Sequence, residues 1–274
     1  MGRSLNGKEL ADFIKERQAK QVRALRQTHK IFPKLVILKT PSTSKAIDVY
    51  VNLKKTYGED ILIDTEIITI DQNEMIEKIH EMNADDRVHG IIVQLPLEDV
   101  SATDEILGEI DSRKDVDNLG EGTLFTSATA EAVDWLLAGY GVDLKNKNIT
   151  IVGRGRLVGG PLEKLWSVRG YNLKVLDEFS ENRHEILKDS EIIVTATGDP
   201  RSIKTEDVSI GAVVVDAGTA SENGVLVGDV SEDVRQRTDV SITPVRGGVG
   251  PLTVAVLFDH VIQATQKNIV KIDN

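Results

Sequence analysis

The run Thr150–Pro161, TIVGRGRLVGGP, limits the fold more than any other stretch of this 274-residue chain. Ile149, Ile151 and Val152 are apolar and β-branched, and they lead into a glycine-rich turn. Pro161 and the helix-forming Leu162–Val168 follow. Strand, glycine turn and helix in that order suit a dinucleotide pyrophosphate. Glycines let the backbone come close, and the helix N-terminus offers free N–H groups and a positive dipole end. Gly153, Gly155 and Gly159 give G-x-G-x-x-x-G, one residue longer than the usual fingerprint, so an ordinary tight turn also explains the run alone. Its context favours the dinucleotide. A second apolar strand, Leu173–Leu176, ends in Asp177-Glu178, twenty-two residues past Gly155. A ribose-binding carboxylate belongs there in a Rossmann unit.

Around this unit the chain reads as alternating strands and helices. Residues 7–27 place Leu10, Phe13, Ile14, Val22 and Leu25 at helical spacing among charges, an amphipathic helix. A strand at 34–38, a loop from Pro41 to Ser44, a helix at 45–57, a strand region at 61–70 and a helix at 73–82 follow. Val88–Leu95 is a near-continuous apolar run, the pattern of a strand buried on both faces of a parallel sheet. Residues 98–127 are polar and turn-rich. Thr129 is placed to cap a helix over 131–140, closed by Gly141. After the glycine unit come a helix near 183–188, strands at 191–196 and 212–216, a glycine-proline loop at 241–253 and a last helix at 254–267. The fold class is α/β. Two α/β domains are expected with a cleft between them, the second a Rossmann-type dinucleotide-binding domain. The boundaries expected are 1–120 plus 254–274 for the first and 121–253 for the second.

Composition excludes several functions. A net charge of −11 argues against a nucleic-acid partner, which needs clustered Lys and Arg. Without cysteine there is no thiolate zinc site and no cysteine nucleophile. The five histidines lack ligand spacing, which disfavours a metal-dependent hydrolase. No stretch approaches the ~18 apolar residues of a membrane span. Residues 1–30 lack a signal-peptide core, and Asn6 breaks a myristoylation pattern, so a cytoplasmic protein is expected.

Tyr50 and Lys54 are one turn apart and share a helix face. A lysine desolvated beside a phenol can serve as acid or base, though an exposed lysine next to a half-buried tyrosine fits the same pair. Gln94 interrupts an apolar strand. It is either a satisfied core amide or a polar group aimed at a site, and the crevice at strand C-termini favours the second. Asp117 alone reads as a turn former.

Five strings stand in order: Tyr50-Val51-x-x-Lys54, Val88-His-Gly-Ile-Ile-Val-Gln-Leu-Pro-Leu97, Lys114-Asp-Val-Asp117, Val152-Gly-Arg154 with Val158-Gly-x-Pro161, and Thr243-Pro-Val-x-Gly247-Gly-Val-Gly-Pro-Leu-Thr253. Over nearly the whole chain they resemble the bifunctional methylenetetrahydrofolate dehydrogenase/methenyltetrahydrofolate cyclohydrolase family. The resemblance implies oxidation of 5,10-methylenetetrahydrofolate with NAD or NADP, then hydrolysis to 10-formyltetrahydrofolate, in the one-carbon metabolism that serves purine biosynthesis. It implies Lys54 as catalytic acid/base with Gln94 assisting, Tyr50 against the aminobenzoyl part of the folate, Asp117 on the pterin edge, and Leu95, Gly250 and Pro251 bordering substrate. Gly153, Arg154, Gly155, Arg156, Gly159, Asp177, Glu178 and Thr219 fall to the cofactor. It also implies a homodimer, with tetrahydrofolate derivatives as ligands and no membrane partner.

Four features depart from the family. Ile47 replaces a serine, with Ser44 displaced by three; Gly155 replaces another serine; Arg246 replaces a proline; and 117–129 is shortened, without Cys-Thr-Pro. They leave open a dehydrogenase-only member, or a non-catalytic dinucleotide- or folate-responsive module. Lys54, Gln94 and Asp117 count against the module. A short-chain dehydrogenase also uses Tyr-x-x-x-Lys, but there the glycine turn comes first. The acidic pair at 177–178 predicts NAD over NADP, because carboxylates accept from a ribose 2′-OH and repel a 2′-phosphate; Arg154 and Arg156 pull the other way, toward NADP as the alternative.

Overall fold

The computed structural model describes residues 2–41, 45–120, 122–222 and 225–272; Ser44 lies outside them. The chain forms two compact units, one of Met1–Asp12 with Thr129–Thr253, the other of Phe13–Ala128 with Val254–Asn274. Each is an α/β layer.

In the second of these, α1 (Gly7–Ala24) enters from the first unit and ends in a π-turn, Leu25–His29. Then come β1 (Lys34–Lys39), α2 (Lys45–Asp60), β2 (Asp64–Thr69), α3 (Met75–Ala84), β3 (Gly90–Val93) and α4 (Thr103–Gly108). The strands pair in parallel in the order β2-β1-β3. Parallel neighbours need crossovers, which α2 and α3 supply. Val36, Leu38, Ile91 and Val93 face a core with Met75, Ile79 and Met82 of α3 and Ile106 and Leu107 of α4. On the opposite face a Cβ at Gly90 would meet Leu35, Val116 and Val261, each at 3.1 Å. Both faces are therefore covered, which is why 88–95 reads as continuous apolar sequence. Burying Ile91, Ile92 and Val93 contributes about 2 kcal/mol each. Helix α4 lies in the stretch expected to be only turns. Its six residues, TDEILG, carry too few apolar positions to show a helical period.

The other unit holds α5 (Ala128–Gly139), β4 (Ile149–Val152), α6 (Gly159–Val168), β5 (Leu173–Leu176), α7 (Arg183–Lys188), β6 (Ile192–Thr195) and β7 (Val213–Asp216). It continues through β8 (Ala220–Glu222), β9 (Val225–Val227), α8 (Glu232–Arg235) and β10 (Ser241–Ile242), and α9 (Val249–Ile272) starts in it. The parallel sheet runs β10-β7-β6-β4-β5, with an antiparallel hairpin of β8 and β9 beside it in sequence. Chain order reverses at β4, with β5 on one side and β6 on the other. The C-terminal end of β4 is thus the topological switch point, where open α/β sheets bind ligands.

Several boundaries move from those expected. The first twelve residues belong with the sheet of β4, because Leu5 N–H donates to Ile242 O at 2.9 Å and Asn6 N–H to the Tyr140 hydroxyl at 2.8 Å. Thr129 lies inside α5, whose Ala128, Ala130 and Ala132 are fully buried. Ser241-Ile242 pairs with β7, so the expected loop at 241–253 starts as a strand. It ends as the first turn of α9, which takes in Gly250 and Pro251. A proline is tolerated there because first-turn N–H groups have no helical partner.

Candidate functional site

Helix α2 carries Tyr50 and Lys54 one turn apart, Tyr50 38% exposed and Lys54 half-buried. Lys54 Nζ donates to Gln94 Oε1 at 3.1 Å. Gln94 directly follows β3, and its N–H donates to Leu38 O at 2.8 Å, extending the ladder with β1 by one residue. Its Nε2 donates to the carbonyl of Leu95 at 2.9 Å, which leaves Oε1 to receive the amine. Both ends of the Gln94 amide are thus hydrogen-bonded, one of them to Lys54. Leu95 is half-buried against the β3–α3 core and precedes a cis peptide bond to Pro96.

The string 114–117 divides into separate tasks. Lys114 is buried and its Nζ donates to the carbonyls of Met82, Asn83 and Asp85 at 2.8–3.0 Å, capping the C-terminus of α3. Asp115 is buried and accepts from the N–H groups of Leu119 and Gly120, at 3.1 and 2.8 Å, folding the loop beyond it. Val116 is core, and its carbonyl accepts from His260 Nδ1 at 2.8 Å. His260 is buried and stacks on Phe125, with centroids 4.8 Å apart. Asp117 alone of the four is left half-exposed.

Burial pushes the Lys54 ammonium below the ordinary 10.5 of a lysine, and the charge of Asp117 opposes that shift. Burial likewise raises the carboxyl of Asp115, against the N–H groups that favour its charged form. The result is an amine that loses its proton more readily than a surface lysine, hydrogen-bonded to an uncharged amide and influenced by one carboxylate.

In the other unit the glycine turn sits at the switch point. Gly153 has φ +95°, and a Cβ there would meet Ala196 O at 2.7 Å. A Cβ at Gly159 would lie 1.8 Å from Gly153 O, so the start of α6 closes tightly on the strand end. These two glycines let the strand end, the turn and the start of α6 close on one another, the backbone packing that a strand-glycine-helix unit uses to present N–H groups to a pyrophosphate. Gly155 is different: a Cβ there meets nothing within 4 Å, so the serine usual at that position is sterically allowed. Arg154 is exposed and donates to Glu163 Oε1 at 3.0 Å; Arg156 is exposed. The Asp177 carboxylate accepts from the hydroxyl of Ser180 at 2.8 Å and the N–H of Phe179 at 3.1 Å. Those donors, with Arg154 nearby, hold it below the usual carboxylate range. Glu178 is exposed beside it, and Thr219 is exposed in the loop after β7.

Tyr50, Lys54, Gln94, Leu95 and Asp117 thus fall in one unit, and the expected cofactor residues in the other together with Gly250 and Pro251. The sequence shows Lys114 and Asp115 within the 114–117 string, and His260 only as one of five histidines; none of the three is given a role there, and they fix the backbone around Asp117. Among the described residues no group of three or more His, Asp or Glu could hold a metal ion. Among them, too, no helix is long and apolar enough to cross a membrane.

Comparison with known proteins adds an independent line. Residues 5–117 match a family model described as tetrahydrofolate dehydrogenase/cyclohydrolase, catalytic domain. Residues 127–269 match the model of the NAD(P)-binding domain of the same family. The bifunctional protein FolD of Acetivibrio thermocellus is 36% identical over 276 residues, covering 96% of each chain. The crystal structure of FolD, methylenetetrahydrofolate dehydrogenase/cyclohydrolase, from Campylobacter jejuni superposes with a TM-score of 0.91. It is 31% identical and covers 98% of this chain and 100% of its own. The Trypanosoma brucei enzyme, solved with NADP and an inhibitor, gives a TM-score of 0.90 at 26% identity, covering 98% of each chain.

Proposed function

The chain belongs to the tetrahydrofolate dehydrogenase/cyclohydrolase family, and from that premise we propose that it oxidises 5,10-methylenetetrahydrofolate and hydrolyses the methenyl product to 10-formyltetrahydrofolate. It does so as a cytoplasmic homodimer in one-carbon metabolism. The observation that carries the reading is the half-buried Lys54 amine hydrogen-bonded to Gln94 Oε1.

When bound, a nicotinamide dinucleotide supplies the hydride acceptor; the residues here manage charge and protons. Loss of hydride leaves a cationic methenyl carbon between two folate nitrogens. A permanent ammonium beside it would repel that cation, whereas an amine with a depressed pKa can stand neutral. In hydrolysis, water oxygen bonds to the methenyl carbon and Lys54 Nζ takes the proton released. The ammonium returns that proton to one ring nitrogen as its bond to carbon breaks, and the hydroxyl gives its own proton to solvent water as it becomes the formyl carbonyl. Gln94 orients the amine without adding a charge. Tyr50 offers its ring to the aminobenzoyl group, Leu95 borders the folate, and Asp117 accepts from the donor edge of the pterin.

The cofactor is assigned to the turn from Gly153 to Gly159, which carries Arg154 and Arg156, and to Thr219 in the loop after β7. Asp177 and Glu178 take the ribose hydroxyls, which supports NAD over NADP. Of the two guanidiniums able to hold a 2′-phosphate, Arg154 and Arg156, the first is engaged by Glu163. Absorbance of methenyl-folate formed from methylenetetrahydrofolate, with NAD and NADP supplied separately, tests both points. Formation with a higher kcat/KM for NAD is expected. No methenyl product with either dinucleotide would remove the dehydrogenase, and a clear preference for NADP would remove the cofactor assignment.

A further inference from the structure

Two buried carboxylates in the unit of β4 take no part in the chemistry above. Asp229 is fully buried. Its Oδ2 accepts from the Thr195 hydroxyl at 2.7 Å, the Thr197 N–H at 2.7 Å and the Thr197 hydroxyl at 2.9 Å. Its Oδ1 is buried with no hydrogen-bond partner. The carboxyl group fills the space of a side chain at Gly218, where an added Cβ would lie 2.0–2.3 Å from its three atoms. Asp216, at the end of β7, does the converse. Its Oδ2 lies 2.1 Å from where a Cβ of Gly228 would be. It accepts from the N–H groups of Gly218, Asp229 and Val230 at 3.1–3.2 Å and pairs with Arg235. Each carboxylate therefore packs over a glycine in the loop that carries the other.

Such a lock is an expensive way to hold a fold, since buried carboxylates lose hydration and apolar residues of similar volume do as well or better. What it fixes is the course of two loops, 195–198 after β6 and 216–219 after β7. Both leave the C-terminal edge of the sheet on the side of β4 away from β5, and Ala196 abuts Gly153. The ribose carboxylate Asp177 marks the β5 side for the adenosine half of a dinucleotide. The nicotinamide half then extends over β6. We propose that Asp229 is a positioning residue that holds these loops as the wall receiving the nicotinamide half. The proposal rests on the dinucleotide reading given above.

Calorimetric titration of the full chain with its preferred dinucleotide and with ADP separates this role from a structural one. ADP carries the adenosine and pyrophosphate but not the nicotinamide half. Asp229→Ala is expected to weaken the dinucleotide about tenfold and ADP by less than about twofold. Asp229→Asn, which keeps an acceptor for Thr195 and Thr197, is expected to restore affinity to within about threefold. Should the alanine variant fail to fold, Thr197→Val removes one donor to the same carboxylate, and a selective loss of dinucleotide affinity is expected there too. Equal weakening of both ligands, or undiminished dinucleotide binding by the variants, overturns the proposal. If the wild-type chain binds neither NAD nor NADP, the dinucleotide reading itself fails, and that shows before any variant is made.

Discussion

Lys54 illustrates how one residue's environment sets its chemistry. An exposed lysine stays charged through the neutral range, but this one has given up part of its hydration and received an amide oxygen in exchange. Asp117 acts against burial by favouring the charged amine. The sign follows directly. Asp117→Asn removes the charge that raises the Lys54 pKa, so the pKa falls further. The acid limb of the hydrolysis pH profile, where the neutral amine is lost, should move to lower pH. Activity should fall as well, because Asp117 is also assigned to the pterin. The limb is read from kcat against pH; a limb that stays put or moves upward would separate Asp117 from the titration of Lys54.

At the scale of elements, the proposed cofactor choice rests on the tip of β5 and the turn after β4. Replacing Asp177 and Glu178 by His and Ser should shift the kcat/KM ratio toward NADP by about tenfold or more, since two carboxylates no longer repel the phosphate. An unmoved ratio would take the acidic pair out of cofactor choice. The same elements show what a sequence discloses. Strands β4 and β5 are legible because a β-branched run ends at a glycine turn and a short apolar run ends at an acidic pair. The run 88–95 was legible because two covered faces demand continuous apolar residues. Gln94 and Lys54 were visible as residue types, but their hydrogen bond joins positions 40 residues apart that only the pairing of β3 with β1 brings into register. Helix α4 and the hairpin of β8 and β9 are too short for periodicity to register. The lock of Asp216 and Asp229 was hidden for another reason: its logic lies in glycines that leave room for a carboxylate from elsewhere in the chain.

The whole molecule adds constraints that no single element supplies. Strand β5 is the last in its sheet, and among the described residues no strand covers its outer edge. An open edge of this kind is a template for a second chain, which supports the homodimer. Light scattering should report twice the chain mass at working concentrations, and a monomer mass would refute it. The central claim is that one half-buried amine serves the folate chemistry while a separate unit holds the dinucleotide. Lys54→Met tests it most directly, because methionine keeps most of the side-chain length and removes only the proton carrier. Hydrolysis of methenyl-folate should fall at least about a hundredfold, with dinucleotide affinity unchanged. Hydrolysis at the wild-type rate in that variant would contradict the account.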